Sequence, residues 1–355
     1  MVEHCSAMTV HIGGRAVGPG RPCFVIAEAG VNHNGDVAQA HRLVDAAVEA
    51  KADAVKFQTF SADRLASTTA PKAEYQQQTT DPAESQQEML RRLELSASAH
   101  RELLEHCREK DLAFLSSPFD QACADLLEEM DVPAFKIPSG EITNLSYLKH
   151  IAAKGRPMVV STGMANLSEV EAAVEAVRSV GEPGIVLLHC VSNYPADPAD
   201  VNLRAMHTMQ QAFGVPVGYS DHVPRNEVAF AAVALGACVV EKHFTLDHSL
   251  PGPDHKASLE PNELAALVEG VRMIERALGD GRKRPAASEA DTAAVARKSL
   301  VAAHEIPAGT VLTEAMIAVK RPGTGLPPVM QPHLVGRTAR ETILADALLT
   351  LEMLR

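Results

Sequence analysis

Residues 241–258 (EKHFTLDHSLPGPDHKAS) concentrate acids, bases and potential metal ligands. The stretch holds three histidines, two aspartates, a glutamate and two lysines, and it directly follows the apolar run AVALGACVV. A solvated loop accounts for Glu260 and Asn262, but His243 lies only three residues after the apolar Val240. A functional interpretation therefore depends on whether other apolar runs of the chain end in the same way.

Short apolar runs alternate with segments of helical periodicity eight times along the chain. The runs are 23–30, 53–58, 112–118, 134–140, 157–163, 185–192, 215–222 and 238–244. Segments such as DVAQAHRLVDAAVEA and LSEVEAAVEAVRSV separate them, with apolar residues every three or four positions. Continuous apolar strands between helices predict a parallel sheet, and eight units in about 250 residues favour a (β/α)8 TIM barrel. A doubly wound sheet is the alternative, which is disfavoured because no GxGxxG follows the first run.

Each apolar run ends in polar or charged side chains. These are Glu28; Lys56 and Gln58; Ser116 and Ser117; Lys136 and Ser139; Ser161 and Thr162; His189 and Ser192; Ser220, Asp221 and His222; and Glu241, Lys242 and His243. Ordinary loop edges explain individual residues, but not the pattern at all eight ends. Because the carboxyl ends of barrel strands open on one face, the pattern predicts an active site there.

The flanking segments complete the layout. MTVHIGGRAVGPGRP predicts a hairpin with a Gly-Gly turn that closes the other end of the barrel. We expect a catalytic domain at 1–279, whose last helix covers about 261–278. A Gly/Pro/Ala-rich linker follows at 280–297, and a small β-rich domain occupies 298–355.

Composition limits the class of protein. A formal net charge of −12 argues against a nucleic-acid partner, and the chain has no apolar run long enough to span a bilayer. The N-terminus lacks a secretory pattern. The six cysteines are widely spaced and form no CxxC pair, so we expect a cytoplasmic protein with reduced thiols.

Lysines at two strand ends, Lys56 and Lys136, suggest an anionic ligand, because an ammonium in a barrel interior needs a negative partner. Hydroxyl groups accompany them at Ser117, Ser139, Ser161, Ser192 and Ser220. Two ammoniums and several hydroxyls suit a small molecule that carries a phosphate and a carboxylate. The alternative is structural ion pairs, for example with Glu28 and Glu141.

Two histidines, His222 and His243, end the seventh and eighth strands, so their imidazoles can converge. Such a pair, with positions left for water or substrate, suits a catalytic divalent metal. Glu28, Glu141 and Asp254 are the carboxylates placed to act as a base or to hold a polyol. Eight other histidines have no such setting and are interpreted as structural or solvated: His4, His11, His41, His100, His106, His150, His207 and His333.

The motifs that carry these residues resemble the sialic acid synthase family. They are IAEAGVNHNGD, AVKFQTF, APKAEYQ, SSPFD, FKIPSGE, STGM, LHCVSNYPA, GYSDH, EKHFTLD and PGPDHKAS. The segment from ARKSLVAAHEIPAGTVLT to VKRPGTG resembles that family's antifreeze-like (SAF) domain. The similarity runs in order from about residue 10 to the end of the chain.

The resemblance implies an enzyme that condenses phosphoenolpyruvate with an N-acylated aldose and water, giving a nine-carbon 2-keto acid and phosphate. The phosphoenolpyruvate-binding residues it implies are Lys56, Ser117, Lys136, Ser139, Ser161, Ser192 and Ser220. Some family members have Asn where Ser192 stands. Glu28 matches the base that activates water, with Glu141 as the alternative.

His222 and His243 match ligands of Mn²⁺ or Mg²⁺, which would polarise the sugar aldehyde. Tyr194, Asp254 and Arg321 match residues around the N-acyl sugar. Otherwise Tyr194 is a packing aromatic and Arg321 a surface arginine. The family also implies a homodimer in which each C-terminal domain delivers its arginine to the partner's site.

The sugar is expected to be N-acetylmannosamine, giving N-acetylneuraminate. The alternative is a 2,4-diacetamido-trideoxy hexose, giving legionaminic acid or another nonulosonic acid, and residues 65–86 are expected to shape the pocket that decides. A synthase acting on a phosphosugar would need a further cationic cluster, which the sequence does not show. A binding or ice-interacting module is disfavoured by the charged strand ends.

Overall fold

Eight parallel strands form the centre of the first of two structural units, in a computed structural model that describes residues 9–81 and 83–355. The strands are β3 (Phe24–Gly30), β4 (Ala54–Thr59), β5 (Ala113–Pro118), β6 (Phe135–Ile137), β7 (Met158–Ser161), β8 (Ile185–Cys190), β9 (Val217–Asp221) and β10 (Val239–His243). Their order in the sheet is β5-β4-β3-β10-β9-β8-β7-β6. Because β5 and β6 also pack side by side, the sheet is a nearly closed barrel. The predicted TIM barrel is confirmed.

A hairpin closes the amino-terminal end of the barrel. It consists of β1 (Val10–Ile12) and β2 (Arg15–Val17), paired antiparallel around a Gly-Gly turn. Its apolar side chains pack with strand residues such as Phe24 and Val159 in one buried cluster. The hairpin thus plugs one end and leaves the other open. His4 and Cys5 lie outside the described residues.

Helices surround the barrel, and most of them bury an apolar face against its strands. They are α1 (Val37–Glu49), α2 (Ala62–Leu65), α3 (Glu74–Thr79), α4 (Gln86–Leu93), α5 (Ala97–Glu109), α6 (Gln121–Glu129), α7 (Leu145–Ala152), α8 (Leu167–Arg178), α9 (Ala205–Phe213), α10 (Glu227–Ala234) and α11 (Pro261–Leu278). Local signals set their starts. Asn166 caps α8 in a capping box with Glu169, and the Asp36 side chain caps α1. No helix in the described part of the chain is both long and apolar enough to cross a membrane.

The second unit comprises residues 280–355. It begins with a short helix, α12 (Ala290–Ala296), within the segment expected to be a linker. Strands β11 (Ser299–Ala302) and β12 (Ile317–Lys320) pair antiparallel, and α13 (Gln331–Leu334) follows. Leu300, Ile306 and Leu349 belong to its own small apolar core.

Candidate active site

The open end of the barrel holds a cavity of about 340 Å³. Twelve of the fourteen predicted site residues line it: Glu28, Lys56, Ser117, Lys136, Ser139, Ser161, Ser192, Tyr194, Ser220, His222, His243 and Asp254. Strand register explains the convergence, since His243 lies beside Glu28 on neighbouring strands and Glu28 lies beside Lys56. Side chains that are distant in sequence therefore share one layer of the barrel.

Two lysines and two glutamates form a buried ionic cluster on the cavity floor. The Nζ of Lys56 lies 2.7 Å from Oε2 of Glu28 and 3.8 Å from Oε1 of Glu241. The Nζ of Lys136 lies 3.4 Å from the same Glu241 oxygen. Lys136 thus pairs with Glu241, whereas the ion-pair alternative had named Glu141. The lysines are structural partners of these glutamates and still face the cavity.

The two glutamates have opposite electrostatic environments. Burial raises the pKa of Glu28 to about 7, against the opposing effect of Lys56. Burial also acts to raise the pKa of Glu241, but Lys136 and Lys56 outweigh it and hold that pKa below its usual value. Carboxylates pushed apart in this way divide into a proton-transferring group and a permanently charged one. Glu28 is the carboxylate suited to exchange a proton near neutral pH.

The pKa values of the two lysines are also shifted in opposite directions. For Lys56, burial favours the neutral amine, but Glu241 and Glu28 outweigh burial and raise the pKa. For Lys136, burial prevails over Glu241 and lowers the pKa. Both lysines also donate to hydroxyls, Lys56 to Ser117 at 3.1 Å and Lys136 to Ser161 at 2.8 Å. These hydroxyl groups extend the donor surface that an anion would meet.

A second group of small side chains surrounds Gly163, in the STGM motif. The backbone N–H of Gly163 donates to Oγ of Ser139 at 3.0 Å. A Cβ at Gly163 would lie 2.2 Å from Oγ of Ser192 and 2.8 Å from Oγ of Ser139. The absence of a side chain at this position is what lets both hydroxyls approach the backbone here. The hydroxyl of Ser220 also lines the cavity and donates to Glu241 at 3.4 Å.

The imidazoles of His222 and His243 converge, with ring centroids 5.4 Å apart. Nδ1 of His222 lies 2.6 Å from the carbonyl oxygen of Val191, so this nitrogen carries the proton and donates it, which leaves Nε2 as a free lone pair. Burial lowers the pKa of both rings, most strongly that of His243. Both are therefore neutral, which is the metal-binding form.

The arrangement suits a divalent cation held by two protein ligands. The buried Nδ1 of His243 has no hydrogen-bond partner among the described residues and lies 3.8 Å from Oδ2 of Asp254. Within residues 9–81 and 83–355, no three His, Cys, Asp or Glu side chains form a ready-made metal site. Two imidazoles would therefore leave coordination positions to water or substrate, as a catalytic site requires.

Tyr194 and Asp254 border the histidines. The Tyr194 ring centroid lies 4.2 Å from that of His222 and 5.5 Å from that of His243. Burial raises the pKa of Asp254 to about 6, so the carboxylate is mostly ionised at neutral pH. An aromatic face and a carboxylate beside two imidazoles can hold a polyol chain.

Two predicted residues are not part of the described cavity lining. Glu141 is half-buried in the turn after β6 and accepts a hydrogen bond from Asn144 at 2.8 Å. Arg321 is exposed in the second unit, where its Nε donates to the carbonyl of Ala296 at 3.2 Å. The geometry therefore favours Glu28 over Glu141 as the base and leaves the role of Arg321 a prediction.

Glu241 is the functional candidate that sequence reasoning left out of the site. Side chains alternate along β10, so Glu241 and His243 face the cavity while Lys242 points the other way and pairs with Asp221 at 2.6 Å. Strand alternation was the signal available in the sequence, because His243 was already assigned to the cavity. Gln58 also lines the cavity and donates to Glu28 at 3.2 Å.

Comparison with known proteins identifies the family to which the chain belongs. The NeuB family model matches residues 43–283, and the SAF domain model matches residues 297–355. The chain belongs to the NeuB family. The predicted resemblance, the antifreeze-like domain and the synthase type of enzyme are confirmed.

Relatives in the NeuB family are synthases of different nonulosonic acids. The N,N'-diacetyllegionaminic acid synthases of Campylobacter jejuni and Legionella pneumophila are 48% and 47% identical, over 92% and 90% of this chain and 98% and 91% of theirs. The Homo sapiens N-acetylneuraminate-9-phosphate synthase is 40% identical over 94% of this chain and 93% of its own.

A solved structure extends the comparison. The N-acetylneuraminic acid synthetase of Leptospira borgpetersenii, crystallised with citrate, is 35% identical with a TM-score of 0.71, covering 80% of this chain and 94% of that chain. The comparisons thus support a nonulosonic acid synthase, and they favour the legionaminic alternative over the N-acetylneuraminate expectation.

Proposed function

We propose that the protein condenses phosphoenolpyruvate with a 2,4-diacetamido-2,4,6-trideoxy hexose and water, releasing phosphate and N,N'-diacetyllegionaminic acid or a closely related nine-carbon 2-keto acid. The observation that carries the proposal is the pair Lys56 and Lys136, buried among hydroxyls beside the proton-exchanging Glu28. Similarity to legionaminic acid synthases supports the choice of sugar.

The two lysines and the hydroxyls bind phosphoenolpyruvate. An ammonium and its adjacent serine give each end of a small anionic ligand charge-assisted donors. Lys56 with Ser117 and Lys136 with Ser161 provide two such pairs. The ligand's phosphate and carboxylate would then be fixed relative to each other, which orients the alkene carbon toward the bound sugar aldehyde.

Glu28 acts on water. When the alkene carbon bonds to the aldehyde carbon, the aldehyde π electrons move to its oxygen, and positive charge develops at the phosphate-bearing carbon. Glu28 takes a proton from the water that attacks this carbon, and this proton can return to the sugar oxygen, which becomes a hydroxyl. The bond from the tetrahedral carbon to the phosphate oxygen then breaks, phosphate leaves with the bonding electrons, and the new hydroxyl loses its proton to form the keto group. A pKa of about 7 suits the residue both to accept this proton and to release it again.

A divalent cation at His222 and His243 would supply Lewis-acid polarisation of the sugar aldehyde. The net charge of the described cavity lining supports a bound divalent cation. Two ammoniums face the ionised Glu241 and Asp254 together with the half-ionised Glu28, so the described cavity is neutral or slightly negative. An anionic ligand would gain from additional positive charge. Mn²⁺ and Mg²⁺ are the proposed ions.

We further propose a homodimer in which Arg321 of one chain contacts the N-acyl sugar in the partner's site. The planar guanidinium suits a role against sugar oxygens and an acyl carbonyl. Its exposure within the second unit leaves it available for such a contact.

Steady-state kinetics with the two candidate sugars test the proposed substrate. We expect the 2,4-diacetamido-2,4,6-trideoxy sugar to give the higher kcat/KM, measured as phosphate release from phosphoenolpyruvate. A higher kcat/KM for N-acetylmannosamine would instead establish the N-acetylneuraminate synthase.

A further inference from the structure

One side of the cavity is apolar. Val31, Met89, Leu90, Leu93 and Phe119 all line it, and all belong to one hydrophobic cluster, named here the α4 wall. Each member follows the end of a barrel strand: Val31 follows β3, the α4 residues follow β4, and Phe119 follows β5. The ionic cluster instead sits on the strands themselves. The wall therefore borders the outer part of the cavity.

Local structure holds the wall in place. Residue 93 lies four positions after residue 89 and three after residue 90, so all three share one face of α4. Ser85 caps this helix in a capping box with Glu88. A Cβ at Gly35 would lie 2.3 Å from the carbonyl oxygen of Arg92, so only glycine lets the end of α4 pack this closely on the loop after β3.

The segment 65–86 contributes fewer residues to the cavity lining than the sequence analysis predicts. In its described part, it supplies Gln76 to the lining, whereas α4 supplies three residues. The pocket's outer end is thus set mainly by an apolar helix face rather than by the polar segment before it.

The wall's chemistry discriminates between the two sugars. Its aliphatic and phenyl side chains offer no hydrogen bond, so a hydroxyl buried against them loses its water without replacement. A methyl group gains from the same burial. N-acetylmannosamine carries a hydroxyl at carbon 6, where the trideoxy sugar has a methyl group. The acetamido group at carbon 4 of the trideoxy sugar adds a second methyl, while its amide still needs hydrogen-bond partners away from the wall.

We propose that the α4 wall determines sugar specificity by burying the methyl groups at the deoxygenated end of the substrate, with Leu90 as a principal contact. This inference rests on the proposed condensation reaction. Leu90 is partly buried, whereas Met89 and Leu93 are almost wholly buried and carry more of the packing. Leu90 can therefore be changed with the least effect on folding.

The test is Leu90→Asn, which makes the wall polar while keeping the number and branching of the side-chain heavy atoms. One group in a hydrophobic pocket discriminates by about 10–200-fold, so kcat/KM for the trideoxy sugar relative to N-acetylmannosamine should fall by roughly tenfold. KM for phosphoenolpyruvate should stay close to the wild-type value. Leu90→Met should keep the wild-type ratio, since it is apolar and of similar volume.

Leu65→Asn is the matched control. Leu65 is partly buried against the same hydrophobic cluster but lies outside the cavity lining, so the ratio should not change. Leu90→Ala guards against misfolding, because it removes the contact without burying an amide and should shift the ratio in the same direction.

The outcomes separate the two proposals. A fall in the ratio in both Leu90→Asn and Leu90→Ala supports the wall, and a rise in either variant contradicts it. An unchanged ratio in both, or an equal change in Leu65→Asn, overturns it. The wild-type preference alone decides the substrate of the proposed function.

Discussion

The substitution Glu28→Gln separates catalysis from binding at the centre of the site. It keeps the size and shape of the side chain but removes its ability to accept a proton from water. A positioned base contributes about 10²–10⁴-fold, so kcat should fall by that factor, or about 3–5 kcal/mol in barrier height. KM for phosphoenolpyruvate should change little, because the lysines and serines hold that ligand.

Stability should not fall in this variant. Burial raises the pKa of Glu28 to about 7, whereas in the unfolded chain the same carboxyl has its ordinary pKa and is ionised at pH 7. The folded state therefore disfavours the charged form, and a neutral side chain of the same shape should leave the free energy of unfolding unchanged or raise it. Glu241→Gln should behave differently, since its charge partners Lys56 and Lys136. Removing one member of a buried ionic cluster costs about 3–5 kcal/mol.

Phosphate release under saturating substrates measures kcat, and urea unfolding measures stability. Glu171→Gln, on the exposed face of α8, is the control and should match the wild type in both. A near-normal kcat in Glu28→Gln would refute the assignment of the base. If Glu141→Gln loses rate instead, the proton acceptor is the carboxylate outside the described cavity lining.

Three further predictions concern the metal, Gly163 and the dimer. EDTA should abolish turnover and Mn²⁺ or Mg²⁺ should restore it, measured by phosphate release; full activity after exhaustive chelation would contradict a metal-dependent reaction. Gly163→Ala should raise KM for phosphoenolpyruvate at least tenfold, about 1.4 kcal/mol, because its Cβ would meet Ser192 at 2.2 Å and Ser139 at 2.8 Å; an unchanged KM would place the ligand elsewhere. Glu28→Gln and Arg321→Ala should each be nearly inactive, and co-expression should return part of the activity in mixed dimers. Mixed dimers that stay inactive would exclude a shared site.

Sequence alone determined the fold class and most of the residues at the open end of the barrel. Buried parallel strands must be continuously apolar, and their carboxyl ends must face one way, so eight apolar runs with polar ends predict both a barrel and its functional face. Lys56 and His243 could be assigned to the same cavity on this basis, although they lie far apart in the chain. Family resemblance then gave these residues chemical roles that their types alone left open.

The tertiary structure decided the partners and environments of those residues. Whether Lys136 pairs with Glu141 or Glu241 depends on strand register. Lys136 pairs with Glu241, because the alternation of side chains along β10 points Glu241 into the cavity. The opposite pKa shifts of Glu28 and Glu241 come from their different positions relative to the two ammoniums. The α4 wall also depends on tertiary structure, because three separate segments form it at the outer end of the cavity. From sequence alone, apolar residues on one face of a helix are predicted to pack in the core, whether or not a cavity lies beside them.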